Sequence, residues 1–254
     1  MYKINQEVSS MMNIGTVFFL ISFFCISSVS HSYEIIEVSN GGNIQGIVAY
    51  SGHAVPQDKT YTLSSDVKYC GKELRTEKYL ISADKRIKNV VVYLEEIRTG
   101  KAIPEEPVEV TDTKCTFVPH ITVGFSGNKF LVKNEDPVLH TIHVYTSING
   151  KTMFNIGLPE RGSTVKKTLT KTGIMELNCD CHPWMQGYVY VFDHPYAVVS
   201  DESGEFVIKN IPPGTYHVKA WHEALGEVGL ADVRVEAGES SRIILQYGPE
   251  INLP

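Results

Sequence analysis

The stretch LNCDCHPWMQG, residues 177–187, holds two cysteines, a histidine and a methionine close together. Cys179, His182 and Met185 follow a C-x2-H-x2-M spacing, which places three donor side chains around one tight loop. A thiolate and a thioether are soft ligands that favour copper, and imidazole suits several metals. The stretch therefore predicts one loop of a metal site.

A second run, FLVKNEDPVLHTIHV, supplies further imidazoles at His140 and His143. If the strand that carries His140 lies beside the loop, two histidines, a cysteine and a methionine come together. Two imidazoles and a thiolate with a weak axial thioether are the ligands of blue-copper electron-transfer sites. His143 lies three residues past His140 and points to the other face of a strand, so we expect it to be structural or solvated.

Other chemistries fit this cluster less well. Covalent c-type haem requires C-x-x-C-H, and here a single residue separates Cys179 from Cys181. Structural zinc usually requires two separated ligand pairs, and only one cluster is present. A nucleophilic cysteine requires a positioned base, and no acyl-transfer pattern accompanies His182. We therefore expect a protein that is not an enzyme and has no catalytic residues.

The N-terminal stretch has the pattern of a secretory signal peptide over residues 1–32. An apolar run over residues 14–26 follows Lys3 and precedes small residues up to Ser30 and Ser32. The alternative is an uncleaved anchor, but the apolar core is shorter than the roughly 20 residues that a membrane span needs. We expect a periplasmic or secreted protein, with no membrane insertion after signal cleavage.

Composition and cysteine count set further limits. The chain has 254 residues, 43% of them hydrophobic, and a net charge of -6, which argues against a nucleic-acid partner. Export would permit disulfides, and pairing of Cys70 with Cys115 is plausible from the count alone. Cys179 and Cys181 cannot readily pair with each other, because neighbouring side chains in a C-x-C stretch diverge.

From about residue 42 the chain predicts an all-β fold. Short runs rich in Val, Ile, Tyr and Thr alternate with turn signals such as SGNK, INGK, DESGE and PPGT. This spacing is typical of β-sandwiches and barrels. We expect an N-terminal β segment over residues 41–104 with a loop-rich middle, a compact β unit over 107–194, and a further β unit over 196–248.

Within the middle unit, the region from Thr111 to Asp193 resembles a cupredoxin of the amicyanin and plastocyanin type, a Greek-key β-sandwich. CTFVPHITVGFSGNKFLVKNED resembles the opening strands, NEDPVLH the stretch that delivers the first ligand, and GIMELNCDCHPWMQGYVYV the closing hairpin. The resemblance implies a mononuclear type 1 copper centre. By position its ligands would be His140, Cys179, His182 and Met185.

The resemblance also implies roles for residues around the ligands. Asn134 matches the residue that braces the ligand loop, and His182 would be the exposed exit for electrons, with Trp184 in a surrounding apolar patch or in simple loop packing. Thr141 stands where the family usually has Asn, so we expect a weaker brace. Cys181 is an additional thiol that could be a free neighbour, a competing ligand or a partner for another thiol.

The third unit resembles a carboxypeptidase-regulatory-like (transthyretin-like) β-sandwich, smaller than the first. The stretches DESGEF and IPPGTYHVKAWH carry this resemblance, and GNIQGIVAYSG and NVVVYLEEIRTG resemble the first half of the same fold. The cupredoxin could be inserted in one split sandwich, or the units could stand in tandem. In this unit we expect a core Trp221 beside a surface His222, and we treat His120 and His194 as ordinary.

Together these features predict an exported blue-copper protein that carries electrons between redox partner proteins. Two alternatives remain open. One is a periplasmic copper-handling protein, such as a chaperone, sensor or store. The other is an adhesion or carbohydrate-binding β-sandwich protein in which copper is structural.

Overall fold

The computed structural model describes residues 32–248, and these residues form an almost entirely β structure. The all-β fold class is confirmed. The predicted signal peptide lies outside the described residues except for Ser32. Within residues 32–248, no helix has the length and apolar character needed to cross a membrane.

The elements follow one another in three groups along the chain. The first group is β1 (Glu34–Ile35), β2 (Gly42–Tyr50), β3 (Thr60–Thr62), α1 (Val67–Cys70), β4 (Glu73–Arg75), β5 (Val91–Glu95) and β6 (Thr99–Gly100). The second is β7 (Val108–Thr113), β8 (Thr116–Val118), β9 (Ile121–Phe125), β10 (Lys129–Asn134), β11 (His140–Thr146), β12 (Thr152–Leu158), β13 (Thr164–Thr168), β14 (Gly173–Asn178) and β15 (Gln186–Phe192). The third is β16 (Ala197–Val199), β17 (Glu205–Ile211), β18 (Gly214–His222), β19 (Gly226–Val235) and β20 (Ser240–Tyr247).

The second group forms the first sandwich, which has two sheets. One sheet has the strand order β13-β10-β7-β8 and the other β12-β11-β14-β15-β9. Strands such as β10 alternate buried and exposed side chains, with Phe130 and Val132 turned inward. The inward side chains of both sheets share one buried core, which also contains Ile142, Val144 and Leu177.

The second sandwich combines strands from both ends of the chain. Its sheets have the orders β16-β5-β18-β19 and β17-β2-β20. Strand β2 pairs in parallel with β20 from Asn43↔Ser240 to Tyr50↔Tyr247, and β5 lies between β16 and β18. The N-terminal and C-terminal segments therefore share both sheets, as a split sandwich requires, and residues 107–194 lie between them in sequence.

The loop-rich segment around Cys70 packs on the first sandwich rather than the second. Residues 60–75, here called the cover segment, comprise β3, α1 and β4, and β3 pairs only with β4. Leu63 is buried in the core of the first sandwich, and Val67 and Leu74 pack against that core. A disulfide joins Cys70 to Cys115, the pairing that the cysteine count left open.

Asp112, on β7, is a fully buried carboxyl in the first sandwich. Neither of its carboxyl oxygens has a hydrogen-bond partner among residues 32–248. Burial raises the pKa of Asp112 to about 8, and the nearby charge of Asp136 adds to the effect. At neutral pH Asp112 is therefore mostly an uncharged carboxylic acid in the folded protein, although it would be ionised in the unfolded chain.

This difference predicts how the free energy of unfolding depends on pH. Between the unfolded and folded pKa values the native state holds a proton that the unfolded state has lost, so Asp112 reduces stability as pH rises. An Asp112→Asn variant should therefore gain stability over the parent as pH increases from 5 to 8. The slope should be at most about 1.4 kcal/mol per pH unit.

Urea unfolding of both proteins across this pH range measures the gain. Glu109 on the same strand is exposed and pairs with Lys133, so Glu109→Gln supplies a matched control that should show little slope. A stability difference between Asp112→Asn and the parent that stays constant with pH would show that Asp112 does not titrate in this way.

Candidate metal centre

The alternation of inward and outward side chains along β11 places His140 in the core. His140, Ile142 and Val144 occupy alternate positions and are fully buried. His143 lies on the other face, where its Nδ1 is 2.8 Å from Oδ1 of Asp180 and its Nε2 is 3.0 Å from the hydroxyl of Thr152. His143 is thus held in a hydrogen-bond network on the opposite face from His140.

The loop between β14 and β15 carries the other predicted ligands. Asn178 pairs with Gln186 in the last register position of these strands, so residues 179–185 connect them. Cys179 continues the inward positions of β14 two residues after Leu177 and is buried. The N–H of Met185 donates to the carbonyl of His182 at 2.9 Å, which closes the turn.

Three of the predicted ligands converge in the core. The Nδ1 atoms of His140 and His182 are 3.0 Å apart, and Sγ of Cys179 lies 3.8 Å from the first and 3.7 Å from the second. Such a group could hold a metal ion. Met185 is buried in the same core cluster as Cys179 and adds a thioether at this end of the sandwich.

Carboxylates hold the outer nitrogens of both histidines. Oδ2 of Asp136 lies 3.1 Å from Nε2 of His140, and Oδ2 of Asp66 lies 2.9 Å from Nε2 of His182. A carboxylate in this position accepts the Nε2–H bond and leaves the Nδ1 lone pair free to bind a metal. Burial lowers the pKa of His140, against the opposing effect of Asp136, and so favours the neutral ring that a ligand requires.

Asp136 is itself held by three donors. Its carboxylate accepts hydrogen bonds from the hydroxyl of Tyr69 and from the backbone N–H groups of Lys114 and Cys115, each at 2.8 Å. Burial alone would raise the pKa of Asp136, but these hydrogen bonds and that of His140 hold it below its usual value. The carboxylate is thus fixed in the charged form that orients His140.

Asn134 braces the loop that leads into His140. Its side-chain Nδ2 donates to the carbonyls of Val138 at 2.9 Å and Leu158 at 3.0 Å. Its Oδ1 accepts the N–H of Asp136 at 2.8 Å. One buried amide therefore ties together the end of β10, the loop 135–139 and the neighbouring strand β12.

Thr141 also links the two ligand-bearing segments. Its backbone N–H donates to Sγ of Cys179 at 3.3 Å, and its hydroxyl accepts the N–H of Asp180 at 2.7 Å. The threonine hydroxyl reaches the loop backbone, so a brace is present at this position, and its lower strength relative to Asn stays a prediction. Cys179 and Cys181 form no disulfide.

The exposed His182 expected from the resemblance was wrong. His182 is fully buried, beneath Asp66 on one side and the ring of Trp184, whose centroid is 5.0 Å away. The hydroxyl of Ser65 donates to the carbonyl of Cys181 at 3.2 Å. Ser65 and Asp66 belong to the cover segment, which is distant in sequence, so the ligand loop itself carries no signal of this contact.

Strand β18 carries two histidines, His217 at an exposed position and His222 at a buried one. His222 is buried rather than exposed, and its Nδ1 accepts the N–H groups of Ala224 at 3.1 Å and Leu225 at 3.2 Å. Burial lowers its pKa to about 4, so the ring is neutral. His217 is largely exposed and lies 3.8 Å from a carboxylate oxygen of Glu95.

Sequence comparison gives one partial match. A family model described as "Polysaccharide lyase family 4, domain II" matches residues 185–243, which run from the end of the ligand loop into the second sandwich. This finding replaces the carboxypeptidase-regulatory-like fold suggested for that region. No curated protein matches the chain.

Comparison with solved structures gives partial likenesses to copper proteins. A copper-containing nitrite reductase from Thermus scotoductus SA-01 is 24% identical with a TM-score of 0.30, over 39% of this chain and 25% of its own. A purple cupredoxin from Nitrosopumilus maritimus is 22% identical at 0.30, over 34% and 99%. Amicyanin from Paracoccus versutus is 18% identical at 0.30, over 35% and 85%. The chain thus spans a quarter of the nitrite reductase's length.

The hydrogen bonds of Asn134 predict that its removal lowers metal affinity as well as the stability of the fold. Asn134→Ala removes three hydrogen bonds, two of them buried, and should lower the free energy of unfolding by about 2–3 kcal/mol. It should also weaken metal binding roughly tenfold to hundredfold, because residues that hold the ligands in place have effects of that size. Metal titration monitored by calorimetry measures the second effect.

Asn128 provides a matched control at the other end of β10. The side-chain amide of Asn128 makes two hydrogen bonds to the backbone. Its Nδ2 donates to the carbonyl of Pro104, and its Oδ1 accepts the N–H of Phe125. Asn128→Ala should lower stability but leave metal affinity close to that of the parent. Equal losses of affinity in the two variants would mean that Asn134 has no specific role at the site.

Proposed function

We propose that this chain is a type 1 copper protein that carries electrons between redox partners. The observation that supports the proposal is the convergence of His140 Nδ1, His182 Nδ1 and Cys179 Sγ in a buried group. Met185 would complete the set as the weak fourth ligand. A thiolate and a thioether beside two imidazoles are soft donors that select copper over the hard cations.

The donors suit electron transfer because the protein holds them in place. Asp136 and Asp66 fix the two imidazoles, and Thr141 ties Cys179 to β11. Bound copper would supply a one-electron exchange between its two oxidation states. Ligands that cannot move far, in a core that excludes water, keep the rearrangement between those states small.

We further propose that residues 107–194 are the copper domain and that residues 41–104, apart from the cover segment, form one split sandwich with residues 196–248. The shared sheets of the second sandwich support this division. The Cys70–Cys115 disulfide supports function in an oxidising compartment, as a periplasmic or secreted protein would require.

A copper-handling role is the main alternative, and Cys181 is the feature that favours it. This thiol is partly exposed and unpaired, so it could take copper from the neighbouring ligand Cys179. Against this role, His140 and His182 are fully buried, and the cover segment lies over the second. A protein that passes its metal to an acceptor requires an accessible donor set, so the burial favours a retained metal.

The visible absorption of the copper(II)-loaded protein tests the proposal. A buried thiolate ligand should give an intense charge-transfer band, and this band should be absent in Cys179→Ser. Cys181→Ser is the matched control, since it removes a thiol from the same loop, and it should keep the band.

Other spectra would contradict the proposal. Weak ligand-field absorption alone, or failure of the parent to retain copper, would exclude a type 1 site. If Cys181→Ser lost the band and Cys179→Ser kept it, the thiolate ligand would be Cys181 and not Cys179. A reversible change of the band on chemical reduction and reoxidation is expected for an electron carrier.

A further inference from the structure

The cover segment lies over one side of the candidate metal centre. A cavity lies beside the same centre, next to Trp184 and Met185. Asp66 occupies the outer edge of His182. Trp184, whose ring packs on His182, also lines a cavity of about 540 Å³ together with Met185. This volume is within the range of small-molecule sites, about 300–1,000 Å³. The cavity therefore gives a small molecule a place beside the centre.

The walls of the cavity come from separate parts of the chain. The lining includes Pro56, Gln57 and residues 74–79, then Thr116, Phe117 and His120, and finally residues 183–186 with Glu223. The aromatic side chains of Tyr61, Tyr79 and Trp184 are among the lining residues. Aromatic walls favour a ligand with a flat apolar body.

A histidine–glutamate pair, His120 and Glu223, also lines the cavity. Nε2 of His120 shares a short hydrogen bond with Oε1 of Glu223, and the Nδ1–H of His120 donates to the carbonyl of Gln186 at 3.0 Å. The Glu223 side chain is only 1% exposed. The pair is thus fixed in position by the backbone of the strand that follows the ligand loop.

One acceptor of this pair has no hydrogen-bond donor. Oε2 of Glu223 makes no hydrogen bond within residues 32–248, and the nearest cation, Nζ of Lys78, is 3.9 Å away, beyond hydrogen-bond distance. A buried acceptor left unfilled costs free energy that a bound donor would recover. The geometry therefore favours a ligand that donates a hydrogen bond to this oxygen.

The charges around the cavity restrict what the donor can be. Lys59, Arg75 and Lys78 line it, against the acidic Glu77 and Glu223. An ammonium group at Glu223 would face Lys78 and be repelled, whereas a neutral hydroxyl would not. The same basic side chains suit an anionic group elsewhere on the ligand.

We propose that this cavity binds a small, flat, hydroxylated aromatic carboxylate, whose hydroxyl donates to Oε2 of Glu223 and whose ring lies against Trp184. Binding itself does not depend on metal. The ligand site and the copper site are therefore tested separately.

Calorimetric titration of the metal-free full chain with 4-hydroxybenzoate tests the ligand site. We expect saturable one-to-one binding that is roughly tenfold or more tighter than that of benzoate, which lacks the hydroxyl, because a hydrogen bond to a carboxylate supplies a factor of this size. In Glu223→Leu the two compounds should bind equally. Glu95→Gln, which changes a partly buried carboxylate paired with Lys219 outside the cavity, should keep the preference of the parent.

Each contrary result overturns the proposal. No saturable binding of 4-hydroxybenzoate would show that the cavity is not such a site, whatever the copper spectrum shows. Equal binding of the two compounds by the parent would remove the role of Glu223, and this comparison decides even if Glu223→Leu does not fold. Binding of glucuronate in place of both aromatics would assign the cavity to sugar acids.

Discussion

The arrangement of the candidate centre depends on a carboxylate at the outer nitrogen of each ligand histidine. A histidine offers a metal its Nδ1 lone pair only when the proton is on Nε2, and a hydrogen-bond acceptor at Nε2 enforces that state. Asp136 performs this role for His140 from within the same sandwich, and Asp66 performs it for His182 from the cover segment. The site is therefore complete only when the cover segment is in place.

The path of the chain explains how a distant segment reaches the site. Strands β2 and β5 are both fixed in the second sandwich, so the residues between them leave from one position in that sandwich and return to another. The contacts that hold this excursion on the first sandwich include Leu63 in its core, the Tyr69 hydroxyl on Asp136, and the Cys70–Cys115 disulfide. Cys115 also donates its N–H to Asp136, so the disulfide and the carboxylate that orients His140 meet at one residue.

The sequence predicted the parts of the site that depend on local pattern. Period-two alternation places His140 and Cys179 inward, and the C-x2-H-x2-M spacing returns His182 to the same end of the sandwich. Contacts made by residues distant in sequence were not predictable in this way. Asp66 precedes a short helix with no metal-site pattern, and Glu223 and His120 are single residues more than a hundred positions apart whose pairing only the fold creates.

His222 shows a related limit. The sequence predicted a core Trp221 beside a surface His222. The structure instead places His222 on the buried face of β18 with Val218 and Ala220. Its Nδ1 accepts two backbone N–H groups of the following turn, at Ala224 and Leu225. A side chain that satisfies turn donors in this way is structural, and its low pKa follows from that burial.

Two buried carboxyls, Asp112 with both oxygens and Glu223 with one oxygen lacking a hydrogen-bond partner, show how the surroundings decide what such a group can do. Asp112 lies in the closed core between the sheets of the first sandwich, and burial drives its pKa upward until the neutral acid is favoured. The Glu223 side chain is 1% exposed, but its Oε1 is hydrogen-bonded with His120, and Glu223 lines a cavity that a ligand can enter. Burial without access leads to protonation, whereas burial beside a cavity leaves an acceptor for a partner, so only the second group is suited to recognition.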